Sequence, residues 1–219
     1  MDAASLRRPD RHELEVLPLE FAPLLLGAVL RTRVDDAEVA LEVTEVEAYH
    51  GLGVGAVPDP GSHARNGKTA RNATMWGEPG HLYVYLSHGI HSCVNVVCGP
   101  EGQAGGVLLR AGRVIEGEAI AQARSGRSGR DLARGPGRLG QVMGMRHPDH
   151  DGIDAITGAS LAGASAQLWL ADPVANSATG ARVGVAGIAG TDAFPWRFWI
   201  PGDTTVSPFR PGRGATAAK

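Results

Sequence analysis

At 219 residues, 43% of them hydrophobic and 20% charged, the chain is long enough to enclose a core and is expected to form one domain. Its first long apolar run, "FAPLLLGAVL", is about half the length of a membrane helix and contains Pro23, so no span is expected. The net charge of −2 argues against a nucleic-acid partner held by overall charge, but the distribution is uneven. Residues 1–60 hold five basic against twelve acidic side chains, 61–146 eleven against five, and 147–219 five against six.

The opening "MDAASLRRPDRHELEV" mixes acids and bases without an apolar h-region, so no secretory signal is expected and the protein is assigned to the cytoplasm, beside the nucleoid if bacterial. "PLEFAPLLLGAVLRTR" reads as an amphipathic helix leading into a strand, and "EVALEVTEVEAYH" alternates with period two as a strand. "GLGVGAVPDPGSHARNGKTARN" is a long Gly-, Pro- and Asn-rich loop of the kind that carries function. "HLYVYLSHG" and "IHSCVNVVC" form a hairpin turning at Ser87-His88-Gly89. Next come a strand in "GGVLLRAG", a helix in "VIEGEAIAQAR", a flexible "SGRSGRD", and a helix beginning at Pro136 in "GPGRLGQVMGM". Three strand-like runs close the chain: "QLWLAD", "RVGVAGI" and "WRFWIPG". Strands outnumber helices and do not alternate with them. The fold class is therefore α+β: a single domain with a curved, mainly antiparallel sheet and flanking helices.

Glu45 and Glu47 fall on one face of a strand, which is either a solvated face or, since Glu47 lies at the strand's end before Tyr49 and the long loop, a reactive carboxylate. The basic run Arg124, Arg127, Arg130, Arg134 and Arg138 reads either as a solvated face or as a polyanion contact. His81, His88, His91, Cys93 and Cys98 fall within 18 residues, yet only His91 and Cys93 have ligand-pair spacing and no second pair follows, so no metal is assigned. Two cysteines on one strand are too far apart for a disulfide and are read as reduced, buried thiols. "DHDG" lacks the remaining ligands of a calcium loop, and "GLGVGA" runs into Pro58 and Pro60 where a dinucleotide fingerprint would start a helix.

Taken in order, "VTEVEAYHG", "SHARNGKTARNATMWGEPGHLYVYLSHGIHSCVNVV", "GGVLLRAG", "GPGRLGQ" and "RVGV" followed by "RFWIPG" resemble the alkyladenine (3-methyladenine) DNA glycosylase family, over residues 18–207. The resemblance implies a DNA glycosylase domain over 18–207, an N-terminal extension over 1–17 and a C-terminal tail over 208–219. It also implies a monomeric, cofactor-free enzyme that flips alkylated or deaminated purines out of double-stranded DNA and hydrolyses their N-glycosidic bond, starting base excision repair. On this resemblance Glu47 is the general base, Arg110 helps hold the attacking water, and Val183 offers that water its backbone carbonyl. Tyr49, His63 and Tyr85 sandwich the flipped base, and Asn95 crowds the exocyclic amino group of ordinary guanine. On the same resemblance the β-hairpin protrudes to bind DNA, with contacts from His88, Ile90 and His91 at its tip and from Lys68 and Arg71. Two positions depart from the family's pattern: His88 stands where tyrosine is common at the tip, and Ala70 where proline is common before "RN".

The residue types suit that chemistry. Purines alkylated at N3 or N7 are cationic, and aromatic faces attract a cation by roughly 0.5–2 kcal/mol beyond stacking. Alkylation also weakens the glycosidic bond, so a positioned water and a carboxylate beside an oxocarbenium-like sugar suffice. The rival readings are a lesion-binding protein without turnover and a metal-dependent hydrolase.

Overall fold

The computed structural model describes residues 5–215. Among these residues eight strands form one antiparallel sheet: β1 (Val29–Val34), β2 (Ala37–His50), β3 (Leu82–Ser87), β4 (His91–Val97), β5 (Gly105–Glu116), β6 (Ala164–Trp169), β7 (Ala178–Gly180) and β8 (Arg197–Trp199). Three α-helices, α1 (Pro18–Leu24), α2 (Glu118–Ser125) and α3 (Pro136–Val142), flank it. The main path runs β3-β4-β5-β2-β1-β6. Among the described residues no helix is long and apolar enough to cross a membrane.

The 14-residue β2 organises the molecule. One edge pairs with β5 along its length. The other pairs with β1 through residues 37–42 and then with β8 through Glu45, Val46 and Glu47. Register shifts around Glu45 in the β2–β5 ladder mark a bulge, the device that bends a strand and re-aims its side chains. Period-two alternation suggests one wet face, but residues 43–48 are buried throughout, because the apolar core covers one side and a buried polar layer the other.

Two expected elements differ. "VIE" was placed in a helix, yet Val114 and Glu116 pair with Leu41 and Ala40, so β5 runs to Glu116 and α2 starts only after Gly117. A Cβ on Gly117 would lie 2.2 Å from the Glu38 carbonyl, so the reversal needs glycine there. "RVGVAGI" was expected as a strand but is a loop ending in a short 3-10 turn at Gly187–Gly190, with Gly184 and Gly187 at positive φ. The brief β7 takes its place beside β8.

β3 and β4 pair antiparallel, with Ser87 opposite His91 and both His88 and Gly89 at positive φ in the turn. Helix α3 lies close on β4: a Cβ on Gly140 would sit 1.9 Å from the Ser92 carbonyl, an approach only glycine permits. The segment before Pro18 also contacts the domain, through the Arg7–Leu170 bridge and the fully buried Leu14. Burying such a leucine contributes about 1.5–3 kcal/mol. The ends of the expected N-terminal extension and C-terminal tail, 1–4 and 216–219, lie outside the described residues. Cys93 and Cys98 are buried free thiols, and burial pushes both above the ordinary thiol range.

Candidate active site

A cavity of about 620 Å³ opens between the C-terminal half of β2, the β3–β4 hairpin and the loop after Arg182. Glu47 lines it, with a side chain that is 0% exposed. Two hydrogen bonds and one ion pair hold its carboxylate. The Tyr49 hydroxyl donates to Oε2 at 2.7 Å, the Val183 N–H to Oε1 at 2.6 Å, and an Arg110 guanidinium nitrogen lies 3.2 Å from Oε1. Each carboxylate oxygen offers about two lone-pair directions, so Oε2, which accepts only from Tyr49, can take a further donor such as water.

Glu45, two residues earlier, does not line the cavity and is held by four hydrogen bonds. Its Oε1 accepts from Arg110 Nε at 2.9 Å, Arg197 Nε at 2.7 Å and Ser207 Oγ at 2.9 Å, and its Oε2 from the Ser207 N–H at 2.7 Å. The solvated-face reading of the two glutamates is overturned, since both are fully buried. Glu45 is the hub that holds Arg110, and Arg110 spans both carboxylates. Burial alone would depress the Arg110 guanidinium, but the charges of Glu47 and Glu45 outweigh burial and hold it above its ordinary value. Burial and the Glu47 charge drive the Tyr49 hydroxyl well above the ordinary phenol range, so it stays a donor.

The cavity walls are aromatic. Tyr83 and Tyr85 stack with ring centroids 5.5 Å apart, and His63 meets Tyr85 edge-on at 4.6 Å. His63 Nδ1 lies 3.2 Å from the Tyr83 hydroxyl. The residue is open to solvent, while its ring is sheltered by these contacts. That shelter, then the charges of Arg71 and Arg65, lower the imidazole below its ordinary value. Burial pushes the Tyr83 hydroxyl up to about 12. Asn95 is buried and lines the same cavity, its amide nitrogen donating to the Tyr83 carbonyl at 3.0 Å.

Glu47, Tyr49, His63, Tyr85, Asn95, Arg110 and Val183 thus surround one space. For Val183 the group in contact with Glu47 is the amide N–H, where the resemblance implied a carbonyl acting on water. The tip residues His88, Ile90 and His91 are exposed, Ile90 at 71%, and His88 Nδ1 lies 3.0 Å from Ser87 Oγ. Lys68 and Arg71 are exposed on the long loop, and Arg71 reaches the Leu86 carbonyl of β3. Within the basic run, Arg124 donates to the carbonyls of Val142, Val34 and Ala37, and Arg134 to that of Val206, while Arg127 and Arg130 face solvent.

Sequence reasoning missed Arg182. Fully buried, it makes a two-pronged pair with Asp59 at 2.7 and 2.9 Å and places its guanidinium 4.4 Å from the centre of the Tyr49 ring and 5.0 Å from that of Trp196. One residue therefore backs the Tyr49 wall and fixes the start of the loop that brings Val183 to Glu47. Its place directly before Val183 was the available signal, but the partner Asp59 is 123 residues away in sequence. Among the described residues no three His, Cys, Asp or Glu side chains converge on a common point.

A family model described as Methylpurine-DNA glycosylase (MPG) matches residues 12–204. A Leifsonia xyli protein named "Putative 3-methyladenine DNA glycosylase" is 48% identical over 212 residues, covering 94% of each chain. Proteins of the same name from Streptomyces avermitilis and Nocardia farcinica are 47% and 46% identical, covering 96% and 90% of each chain. With the model spanning nearly the whole domain and the relatives aligned almost end to end, the chain belongs to the methylpurine-DNA glycosylase family.

Proposed function

We propose that this protein is a monofunctional DNA-3-methyladenine glycosylase, a monomer that flips alkylated or deaminated purines out of duplex DNA and hydrolyses the bond between base and sugar. The observation that carries the reading is Glu47: a buried carboxylate held by two hydrogen bonds and an ion pair, with its Oε2 able to accept a further donor, beside an aromatic cavity large enough for a purine. Membership of the family supports the substrate class.

In the proposed reaction a water bound at Oε2 of Glu47 attacks C1′ of the flipped nucleotide. The new C1′–O bond forms as the C1′–N9 bond breaks, its electron pair leaves with the base, and Glu47 takes the water proton. The products are a free purine and an abasic site. A purine alkylated at N3 or N7 is cationic and leaves as a neutral molecule, so no acid is needed; a deaminated purine is neutral and leaves with a proton taken up from solvent water. As charge develops on the sugar, the Glu47 carboxylate stabilises it electrostatically. Tyr49, Tyr85 and His63 face the base, and a cationic ring gains attraction from the tyrosine faces that a normal purine lacks. Asn95, its amide nitrogen anchored on the Tyr83 carbonyl, meets the exocyclic amino group of guanine with no room to turn away. The exposed tip at His88, Ile90 and His91 fills the gap left by the flipped nucleotide, and Lys68 and Arg71 neutralise phosphates.

The test is incubation with methylated duplex DNA in EDTA. Release of free methylated purine with matching abasic sites supports the reading. DNA held in a stable complex without release identifies a lesion binder instead, and activity abolished by EDTA and restored by a divalent metal identifies a metal-dependent hydrolase.

A further inference from the structure

The chain beyond residue 204 lies outside the family-model match, yet it is joined to the residues around Glu47. Ser207 supplies two of the bonds that Glu45 accepts, and its carbonyl receives Arg197 at 2.6 Å. The chain then runs back along the loop that carries Val183. The Gly184 N–H donates to the Arg210 carbonyl at 2.8 Å and the Gly187 N–H to the Arg213 carbonyl at 3.0 Å. Between these bonds the Val185 carbonyl is enclosed by two glycines: a Cβ would lie 1.9 Å from its oxygen on Gly190 and 2.0 Å on Gly212. Such contacts are closer than any side chain allows, so the segment lies flat against the loop only because Gly212 has none.

We propose that Ser207–Ala215 is a positioning strap for the reaction: it fixes the Val183–Gly187 loop, so that the Val183 N–H stays on Glu47 and the cavity wall at Gly184 and Val185 stays in place. Val183 itself sits at the end of a loop with no strand partner, and turn geometry alone does not hold an amide on a buried carboxylate. The two backbone bonds from the strap lie one and four residues after Val183, and Arg182, anchored on Asp59, lies one residue before. The loop is thus clamped from both sides. Misplacement of a catalytic group by about 1 Å costs on the order of 10²-fold in rate.

The inference rests on the glycosylase reading, and its test separates the two. Gly212→Ala is made in the full chain, since Gly212 needs no positive φ and the added methyl meets only the Val185–Ala186 backbone of the loop. Base release by wild type serves as the reference. The expected result is a single-turnover excision rate about 10- to 100-fold lower in a protein that keeps its native circular dichroism at the assay temperature, with a lowered melting temperature because the strap can no longer lie flat on the loop. If wild type excises and Gly212→Ala excises equally well, the strap is refuted while the function stands. A second measurement is independent of both activity and the variant's folding: amide hydrogen exchange of the wild type. Gly184 and Gly187 are expected to be protected although their loop is at the surface, and exchange at the rate of open amides would overturn the proposal. Arg210→Gln with Arg213→Gln separates contact from charge, because the strap uses only their carbonyls. A loss of rate in this double variant that Gly212→Ala does not share would also overturn it.

Discussion

Arg110→Met removes the one cation that two buried carboxylates share, at distances of 2.9 Å to Glu45 and 3.2 Å to Glu47. At an effective dielectric constant near 20 each pair is attracted by about 5 kcal/mol, but burying the guanidinium offsets much of this. Truncating one member of a buried ion pair costs about 3–5 kcal/mol. Glu45 keeps Arg197 and Ser207, so the uncompensated charge falls on Glu47, which retains only Tyr49 and Val183. That places the loss toward the lower end, about 3 kcal/mol. In a chain of this length it is a fall of about 6–12 °C in melting temperature. Excision should fall by about 10²-fold or more, because Glu47 loses a donor that orients it. Arg110→Lys should recover much of the melting temperature but little of the rate, since an ammonium cannot span both carboxylates as a planar fork does. Thermal denaturation followed by circular dichroism and single-turnover base release measure the two effects. A Met variant that melts with wild type and excises at its rate would refute the reasoning.

Asn95→Ser should raise release of undamaged guanine relative to hypoxanthine, measured on paired oligonucleotides; an unchanged ratio would make Asn95 only a strand residue. His63 is held below its ordinary value by burial and by Arg71 and Arg65, so the native state favours the neutral ring. Its contribution to stability is full above the unfolded value, about 6.5, and is lost as pH falls from there through the depressed native value. Protonation also sets a cation against a cationic base, so excision of 7-methylguanine should decline in acid below pH 6.5, and His63→Phe should flatten that arm in a pH–rate profile. Arg182→Lys should lower excision while DNA affinity holds. With three tyrosines in the chain, fluorotyrosine NMR should then show the Tyr49 resonance moving and those of Tyr83 and Tyr85 staying; three shifted lines would mean general loosening.

Local pattern made β2, the β3–β4 hairpin and the start of α3 at Pro136 legible in the sequence, because alternation, turn residues and a helix-starting proline act over a few residues. The end of β5 was not, since Val114 and Glu116 follow their pairing with β2 more than their own preference. Glu47 and Tyr49 could be read from their place at the end of a strand. The role of Glu45 could not, because it depends on Arg197 and Ser207, which lie 152 and 162 residues away. Arg182 and the strap were hidden for the same reason: a buried ion pair or a glycine against a distant carbonyl leaves no periodic trace in the chain.

The most direct test of the central claim is single-turnover release of methylated purine by wild type and Glu47→Gln in EDTA. The glutamine is nearly isosteric: its oxygen can receive Val183 and Arg110, and its amide can donate to the Tyr49 hydroxyl, so the fold and lesion-DNA affinity should be kept. Excision should fall by about 10²- to 10⁴-fold, the loss expected for a general base. Turnover near the wild-type rate would contradict the assignment of Glu47 and the mechanism built on it.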